Sequence, residues 1–423
     1  MNAEEAYKEA ISHGKYSEQI KSLRGKYDHV RLMWEDMLTG FYLRPYLETL
    51  VEEKRKAGNG GLRFFDLGCG TGDGYFLLSH LPKKSRLSDH DTRLIPEELV
   101  EHYKGVDLSI DLLKQAETLF GRYDNVDFVK GDFSCGLPVE ENEPPYDLYF
   151  TSYGTFSHCS DEELETLLVD IARHAHDGSI IVGDWLGRYS YEWQTLWVHD
   201  TAELRYMDYK INYLYDIEDI DQVEVSTFPM RLMTPQEVAF IVERAAEKAD
   251  VHLEIMRFFD RSLFVGRHIE TGTYNDNPQP TRSMVSSLFE PGLRTYFPDI
   301  LVSYLPREGF NWQNRLLQNL AYCWNSLVQY TMKLADYYDN PRKETPPQQP
   351  QTDFHVLNKA FKVMNLSFEA GKELLGDVRA DFIEHQLGLA LRSLEMGLQR
   401  GMGLGHGLVA IIRVSKEEGK GKL

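Results

Sequence analysis

Residues 64–72 read Phe64-Phe65-Asp66-Leu67-Gly68-Cys69-Gly70-Thr71-Gly72. They join a buried strand, predicted over 62–67, to a helix predicted to run to about residue 81. Glycines let a backbone turn tightly beneath a ligand and present amide groups at a helix start. The loop is not a nicotinamide fingerprint, because Asp73 takes the place of the required last glycine, and no Gly-Lys-Ser/Thr of a phosphate loop follows. The stretch therefore predicts a cofactor site of another kind.

Strand and helix patterns alternate outward from this loop. Further strands are predicted at 103–107, 126–129, 147–151, 179–183, 251–256 and 262–265. Capping boxes at Ser160/Glu163 and Thr234/Glu237 begin two of the helices. This alternation predicts an α/β fold with a doubly wound, mostly parallel seven-stranded sheet that helices cover on both faces. Ligands of such sheets bind beyond the carboxyl ends of the strands.

The acid placed two residues before Gly-x-Gly-x-Gly resembles motif I of class I methyltransferases, and the likeness extends over about residues 25–270. The resemblance implies S-adenosyl-L-methionine (SAM) as cofactor, with S-adenosyl-L-homocysteine as product. It implies that the methionine end of SAM is held by Asp66, Gly68, Gly70 and Gly72.

The same resemblance implies two more cofactor contacts. Asp107, in Val106-Asp107-Leu108, would accept hydrogen bonds from the ribose hydroxyls, and Asp132 and Phe133 would meet the adenine. Asp107 follows Asp66 by 41 residues, where related dinucleotide folds have about 20. Asp89 and Asp91 therefore remain alternatives for the ribose. Ordinary turn chemistry is the alternative for each of these acids.

An N-terminal helical lid is predicted over residues 1–58. Its segment 27–34 resembles the helix that many such enzymes fold over SAM, and Tyr27 and Arg31 are predicted to close the carboxylate end of the cofactor. The alternative is a helix that only packs.

Catalysis of methyl transfer is mainly a matter of orientation and exclusion of water. A general base is needed only if the acceptor starts out protonated. His158 is the first candidate for that base, because imidazole titrates near neutral pH, and Asp184 and His199 follow it. Packing beside the Ser160 cap is the alternative for His158.

Aromatic residues are concentrated in a predicted cap insertion, 185–232, which holds ten of them between residues 185 and 228. Such rings can stack on a planar acceptor or enclose a cation. The residues predicted to bind substrate are Tyr153, Trp185, Trp193, Trp197 and Tyr206. The alternative is that the rings form the core of the insertion itself.

Three further segments complete the predicted organisation. Residues 59–270 form the SAM-binding methyltransferase domain, 271–282 a linker, and 283–423 a mainly helical C-terminal domain. That last domain resembles no known family. It could be a substrate lid, an accessory binding module or a dimerisation element, in which case the chain forms a homodimer through these helices.

Composition limits the partners. The net charge is −20. Residues from Asn275 onward hold 17 basic and 16 acidic side chains, so the excess of acidic side chains lies in the part of the chain before Asn275. Nucleic acid is therefore not expected as a partner. No apolar run reaches membrane-spanning length, so no membrane partner is expected either. The four cysteines are far apart, which predicts no metal site and favours the reducing cytoplasm.

The predicted function is methyl transfer to the oxygen, nitrogen or carbon of a small organic acceptor, aromatic or amine-bearing. One alternative is a protein methyltransferase that docks its target on the C-terminal helices. Another is a SAM-binding regulator without turnover, and a minor one is an aminopropyl transferase of the spermidine-synthase kind.

Overall fold

The computed structural model describes residues 3–416 except 17–22, 24, 59, 85–91, 201, 203, 216–224 and 341–344. Its strands are β1 (Leu62–Leu67), β2 (Val100–Asp107), β3 (Val126–Lys130), β4 (Leu148–Phe150), β5 (Ile180–Gly187), β6 (Tyr206–Lys210), β7 (Thr227–Met233), β8 (His252–Arg261) and β9 (Gly407–Ser415). Its helices are α1 (Ala3–Ser12), α2 (Met37–Ala57), α3 (Asp73–Ser79), α4 (Ile110–Phe120), α5 (Asp161–His174), α6 (Pro235–Ala249), α7 (Thr281–Ser287), α8 (Asn311–Asp339), α9 (His355–Gly371) and α10 (Glu384–Leu398). A π-helical turn, Arg31–Asp36, runs directly into α2.

The strands of the described residues form one nine-stranded sheet. Strands β3, β2, β1, β4, β5, β7 and β6 lie side by side in that order, and β9 joins β5 to β8. Pairing is parallel from β3 through to β7. Strand β9 is antiparallel to both of its neighbours, and β6 is antiparallel to β7. The predicted doubly wound, mostly parallel α/β class is confirmed, with nine strands in place of seven.

Strand assignment after β5 differs from the prediction. The strand predicted at 262–265 does not form, because β8 continues to Arg261 and the backbone then turns at Ser262, whose φ is 62°. Strands β6, β7 and β9 were not predicted. The buried run of β9 follows a long helical pattern, so the sequence there reads as the end of a helical domain.

The predicted C-terminal helical domain, 283–423, is wrong as a unit. Helices α7 to α10 lie in the chain between β8 and β9, two strands that pair with each other over their whole length. One buried apolar cluster combines side chains of the sheet with side chains of the helices, including Phe64, Trp324 and Leu391. The helices are therefore an insertion into the sheet domain, and we call residues 262–406 the helical insert.

The predicted linker, 271–282, is also wrong. Asn275, Thr281 and Arg282 are buried, and α7 already begins at Thr281. Arg282 explains why this segment is fixed. Its guanidinium donates to both carboxylate oxygens of Asp28, at 2.6 and 2.8 Å, and to Glu35 at 2.8 Å. These buried ion pairs fasten the helical insert to the segment that precedes α2.

The two faces of the sheet carry separate apolar clusters. Helices α5 and α6 cover one face, and α2, α3, α4 and the helical insert cover the other. The glycine loop lies at the edge of the sheet that is formed by the carboxyl ends of β1, β2, β4 and β5. Within the described part of the chain, no helix combines the length and apolar character that crossing a membrane requires.

Strand β9 should contribute to stability as a central strand does. Ile411 is fully buried and pairs with Val182 of β5, whereas Leu366 of α9 is 70% exposed. We expect Ile411→Ala to lower the free energy of unfolding by about 2–5 kcal/mol. Leu366→Ala, an equally apolar deletion, should change it by less than about 0.5 kcal/mol. Equal effects in urea denaturation would show that β9 is not part of the core.

Candidate active site

The glycine loop bends at the carboxyl end of β1. The backbone amides of Gly68 and Cys69 donate to the carbonyl of Val106 at 2.8 and 3.0 Å, which fixes the loop to β2. Gly70 has a φ of 54°, and a side chain at this position would meet no atom within 4 Å. Its amide donates to Asp107 Oδ2 at 2.9 Å. The loop therefore curves beside an open space, as a loop that holds a ligand must.

Asp66 lies beneath this loop. It is buried, and one carboxylate oxygen accepts a hydrogen bond from the Tyr103 hydroxyl. The other oxygen, Oδ1, has no partner within the described residues. Burial raises the pKa of Asp66 to about 8. An unpaired buried oxygen is costly, so a donor such as the ammonium of a bound ligand would relieve it.

Asp107 ends β2 next to the loop. Its two carboxylate oxygens accept from the amides of Gly70 and Ser109, at 2.9 and 2.8 Å. Each oxygen keeps a further lone pair, because a carboxylate can accept about four hydrogen bonds. Burial raises the pKa of Asp107. The alternatives, Asp89 and Asp91, lie outside the described residues.

The segment before α2 closes over the glycine loop. The Tyr27 hydroxyl lies 2.7 Å from Thr71 Oγ1 and donates to Asp73 at 3.1 Å. Arg31 and Lys26 pair with the Asp73 carboxylate at 3.0 and 2.8 Å. Burial alone would raise the pKa of Asp73, but these two cations hold it well below its usual range. Tyr27 and Arg31 thus lie where the prediction needs them, and their contact with a cofactor carboxylate stays a prediction.

Lys26 and Asp73 were not predicted as site residues. The position of Asp73 was used only to exclude the nicotinamide fingerprint. Lys26 is adjacent to Tyr27 and belongs to no motif. The donor set as a whole fits SAM. Cations and a phenol stand near the loop for a carboxylate, and Asp66 and Asp107 offer acceptors for an ammonium and for hydroxyls.

Tyr153 follows β4 and has a φ of 56°, unusual for a residue with a large side chain. Its amide donates to Asp184 Oδ2 at 2.7 Å, and its hydroxyl donates to Asp36. The guanidinium carbons of Arg31 and Arg261 lie 3.8 and 4.6 Å from the centre of its ring. We call these five residues the Tyr153 cluster. Backbone strain of this kind persists only where the surroundings impose it, and it concentrates at functional sites.

Two carboxylates of the Tyr153 cluster have raised pKa values. Burial raises the pKa of Asp36 to about 7, despite the opposing charge of Arg31. Burial also raises the pKa of Asp184, which Arg261 contacts at 2.7 Å. Asp184 Oδ1 has no partner in the described part of the structure. Asp184 was predicted from its place after the strand expected over 179–183, and the observed β5 continues past it to Gly187. Asp36 was not predicted, because no sequence motif marks it.

His158 is mostly buried among aromatic rings. Its ring stacks on Phe228 at 5.4 Å and lies 6.1 Å from Tyr7 of α1. Burial lowers its pKa to about 4. The reason for choosing it as a base, titration near neutral pH, is therefore wrong: at neutral pH it is an uncharged and weakly basic imidazole.

His199 is not brought to the site. It is exposed, and its ring stacks flat on Phe310 of the helical insert, with centroids 4.4 Å apart and planes 3° apart. The prediction of His199 as a catalytic residue is therefore corrected: the chain after β5 carries it to the surface of the insert.

Most of the predicted substrate-binding rings are packing residues. Trp185 is buried against Phe156 on the face covered by α5 and α6. The indoles of Trp193 and Trp197 are buried and donate to backbone carbonyls at 3.0 Å. Tyr206 is 39% exposed, in β6. The predictions for Trp193 and Trp197 are corrected, because their indole N–H groups bond to backbone carbonyls and their rings form the core of the cap itself. The prediction for Trp185 is corrected because it packs on the face covered by α5 and α6, and that for Tyr206 because it lies at the surface, outside the Tyr153 cluster.

The turn after β3 has the hydrogen bonds of an ordinary turn, which is the alternative interpretation of Asp132. Asp132 is exposed and caps the turn by accepting from the amide of Ser134 at 2.9 Å. Phe133 is buried among the side chains of the face covered by α5. Their contacts with adenine stay predictions.

Comparison with known proteins agrees with this geometry. The sequence model of the methyltransferase domain family matches residues 64–178, from β1 to the turn before β5. No curated protein sequence matches the chain significantly.

Three solved structures resemble part of the chain. A SAM-dependent methyltransferase from Clostridium acetobutylicum is 16% identical over 51% of this chain and 83% of its own, with a TM-score of 0.31. The glycopeptide N-methyltransferase MtfA in complex with SAM is 14% identical over 50% and 79%, with a TM-score of 0.32. The SAM-bound amino pentose methyltransferase CalS10 from Micromonospora echinaspora is 16% identical over 42% and 54%, with a TM-score of 0.23. At such low TM-scores none of them assigns a substrate to this chain.

The ribose contact of Asp107 can be tested by calorimetry. We expect Asp107→Ala to weaken SAM binding by about tenfold or more, since charge-assisted hydrogen bonds are lost. Asp111→Ala is the matched control, because Asp111 lies on the exposed side of α4, where it pairs with Lys114. Wild-type affinity in Asp107→Ala would show that the ribose assignment is wrong.

Proposed function

Because the chain is a class I methyltransferase that depends on SAM, we propose that it methylates a small organic acceptor, aromatic or amine-bearing, held beside Tyr153. The observation that supports this most directly is the Asp36–Tyr153 pair. Arg31 connects it to the cofactor loop, since the guanidinium stacks on Tyr153 and pairs with Asp73. A pair able to move a proton therefore stands next to the predicted methyl donor.

The chain's own residues supply orientation and a place for a proton. When bound, SAM supplies an electrophilic methyl group on a good leaving group. The Tyr153 hydroxyl would take the proton of an acceptor while passing its own to Asp36. A base works best when its pKa lies near the working pH, and that of Asp36 is about 7. Asp184 and Arg261 would hold Tyr153 in its strained conformation for this transfer.

Rings near the cluster favour a small and planar acceptor. Phe228 of β7 lies 5.7 Å from Tyr7, 5.4 Å from His158 and 5.8 Å from Tyr209. We call these four residues the ring wall. It joins α1, the turn after β4 and the β6–β7 hairpin, and neutral His158 suits an apolar wall better than a base. Stacking on such rings contributes about 0.5–1.5 kcal/mol per pair.

The acceptor class can be tested with methyl-tritiated SAM. The chain is incubated with small-molecule and protein fractions of a cell extract, and labelled products are separated by size. We expect label in the small-molecule fraction and formation of S-adenosylhomocysteine. Label confined to proteins would favour the protein methyltransferase. Tight SAM binding without any product in either fraction would favour the regulator.

Asp36 should govern the pH dependence of turnover. With an acceptor found in that screen, we expect kcat to rise through about pH 7, because the carboxylate must be deprotonated to accept a proton. Asp36→Asn and Tyr153→Phe should each lower kcat by about 100-fold. Asp36→Asn should also abolish the rise near pH 7.

The control for these variants is Tyr206→Phe, which removes a phenol in the cap outside the Tyr153 cluster and should leave kcat unchanged. SAM affinity, measured alongside, should stay within about threefold in all three variants. A pH profile that is unchanged in Asp36→Asn would exclude Asp36 as the base.

A further inference from the structure

A cavity lies at the amino end of β5, at the opposite edge of the sheet from the glycine loop. It is a groove of about 450 Å³ between α2 and the sheet. The sheet side is formed by Ile180, which begins β5, and by Arg413, its register partner near the end of β9. The glycine loop follows the carboxyl end of β1, whereas Ile180 lies at the amino end of β5. The groove, which we call the basal groove, is therefore separate from the predicted cofactor site.

Aromatic rings and guanidinium groups line the basal groove together. The Arg257 guanidinium lies 4.5 Å from the centre of the Tyr42 ring, and Arg44 lies 5.6 Å from that of Phe41. Tyr42 is only 4% exposed, because it stacks on Phe259 at 4.5 Å and lies beneath Arg257, so it holds Arg257 in place and has no free face for a ligand. Phe41 is 45% exposed and therefore available to a ligand. An exposed ring beside guanidinium groups offers one surface for a planar group and another for an anion.

Arginines outnumber carboxylates in the lining of the basal groove. Three arginines line it and one carboxylate, Glu53, does so. In the described structure no carboxylate lies within ion-pair distance of Arg257 or Arg413, although Glu254 is the register partner of Arg413 across β8 and β9, and Arg44 pairs with Glu48 at 3.8 Å. Two guanidinium groups without an ion pair in one groove, those of Arg257 and Arg413, stand out in a chain with a net charge of −20. They make the groove a place where an anion would be attracted and held.

A proline inside α2 shapes the same groove. Pro45 lines it and lies in the interior of the helix, where proline is unfavourable because it removes an i→i−4 hydrogen bond and bends the helix. The carbonyl so released belongs to Phe41, another lining residue. One carbonyl of α2 therefore lacks its usual i+4 donor where the helix lines the groove.

We propose that the basal groove binds a small planar aromatic anion, with the ring against Phe41 and the negative group on Arg257 and Arg413. The volume lies within the range of ligand pockets, about 300–1,000 Å³. A bare inorganic anion would leave the ring of Phe41 unused, and an uncharged ring would leave the guanidinium groups unpaired. The combination thus selects for both features in one molecule.

The experiment is a fluorescence titration of the full chain with 1-naphthyl phosphate. We expect saturable binding that excess S-adenosylhomocysteine does not displace. 1-Naphthol and inorganic phosphate should each bind about tenfold more weakly or worse, because each keeps only one of the two recognition features. These competitors test the groove independently of whether the chain methylates any acceptor.

Variants locate the site. Arg413→Gln and Arg257→Gln should each weaken 1-naphthyl phosphate binding by about tenfold. Arg122→Gln is the matched control, because Arg122 is exposed after α4, outside the groove lining, and should not change it. Melting temperatures of all three variants should equal that of the wild type.

Four results would each overturn the proposal. They are the absence of saturable binding, displacement by S-adenosylhomocysteine, wild-type affinity in both groove variants, and equal affinity for inorganic phosphate. The second would place the probe in the cofactor site, and the last would reduce the groove to a simple anion site.

Discussion

The buried ion pairs of Arg282 with Asp28 and Glu35 hold the active-site region together. All three side chains are almost completely excluded from solvent. Burial alone would raise the pKa of Glu35, but Arg282 and Arg267 hold it well below its usual range. Removing one partner of such a pair typically costs about 3–5 kcal/mol, because it leaves a buried charge uncompensated. The pairs fix the segment between Asp28 and Glu35 from the side of the helical insert, and this segment carries Arg31 and leads to Asp36.

The helical insert therefore does more than cover one face of the sheet. Arg261 ends β8, Arg267 follows within the insert, and Arg282 lies in the first turn of α7, which begins at Thr281. Each contacts an acid from elsewhere in the chain: Asp184 at 2.7 Å, Glu35 at 3.3 Å, and Asp28 at 2.6 Å, respectively. The insert thus brings Arg267 and Arg282 to Glu35 and Asp28 of the segment before α2, while Arg261, at the end of β8, reaches Asp184 of β5. A π-helical turn is common at functional sites, and here it is stabilised by contacts that no local sequence preference provides.

The sequence predicted those parts of the site that local chemistry determines. Three glycines after a buried strand, and an acid at the end of β2, follow from short-range patterns, and the structure places Gly70 and Asp107 within one hydrogen bond of each other. The capping boxes that begin α5 and α6 form as predicted. Strand β9 could not be recognised, because its pairing partners are β5 and β8, and the second of these lies more than 140 residues earlier in the chain. The predictions for His199 and the cap tryptophans were wrong for a related reason. The type of a residue indicates which interactions its ring can make, but the neighbours that decide which of them form come from distant segments of the chain.

The residues of the Tyr153 cluster come both from the sheet and from segments outside it. Tyr153 and Asp184 come from the turn after β4 and from β5, which belong to the sheet. Asp36 and Arg31 come from the π-helical turn, and Arg261 from the last residue before the insert. The glycine loop and Asp107, in contrast, lie on strands whose order is set by the sheet alone. Cofactor binding can thus be shared among chains with this sheet. The Tyr153 cluster also needs Arg31 and Asp36 from the segment before β1, which the helical insert holds in place through Arg282. It follows that a likeness confined to the sheet, such as the match over residues 64–178, carries information on the methyl donor and none on the acceptor.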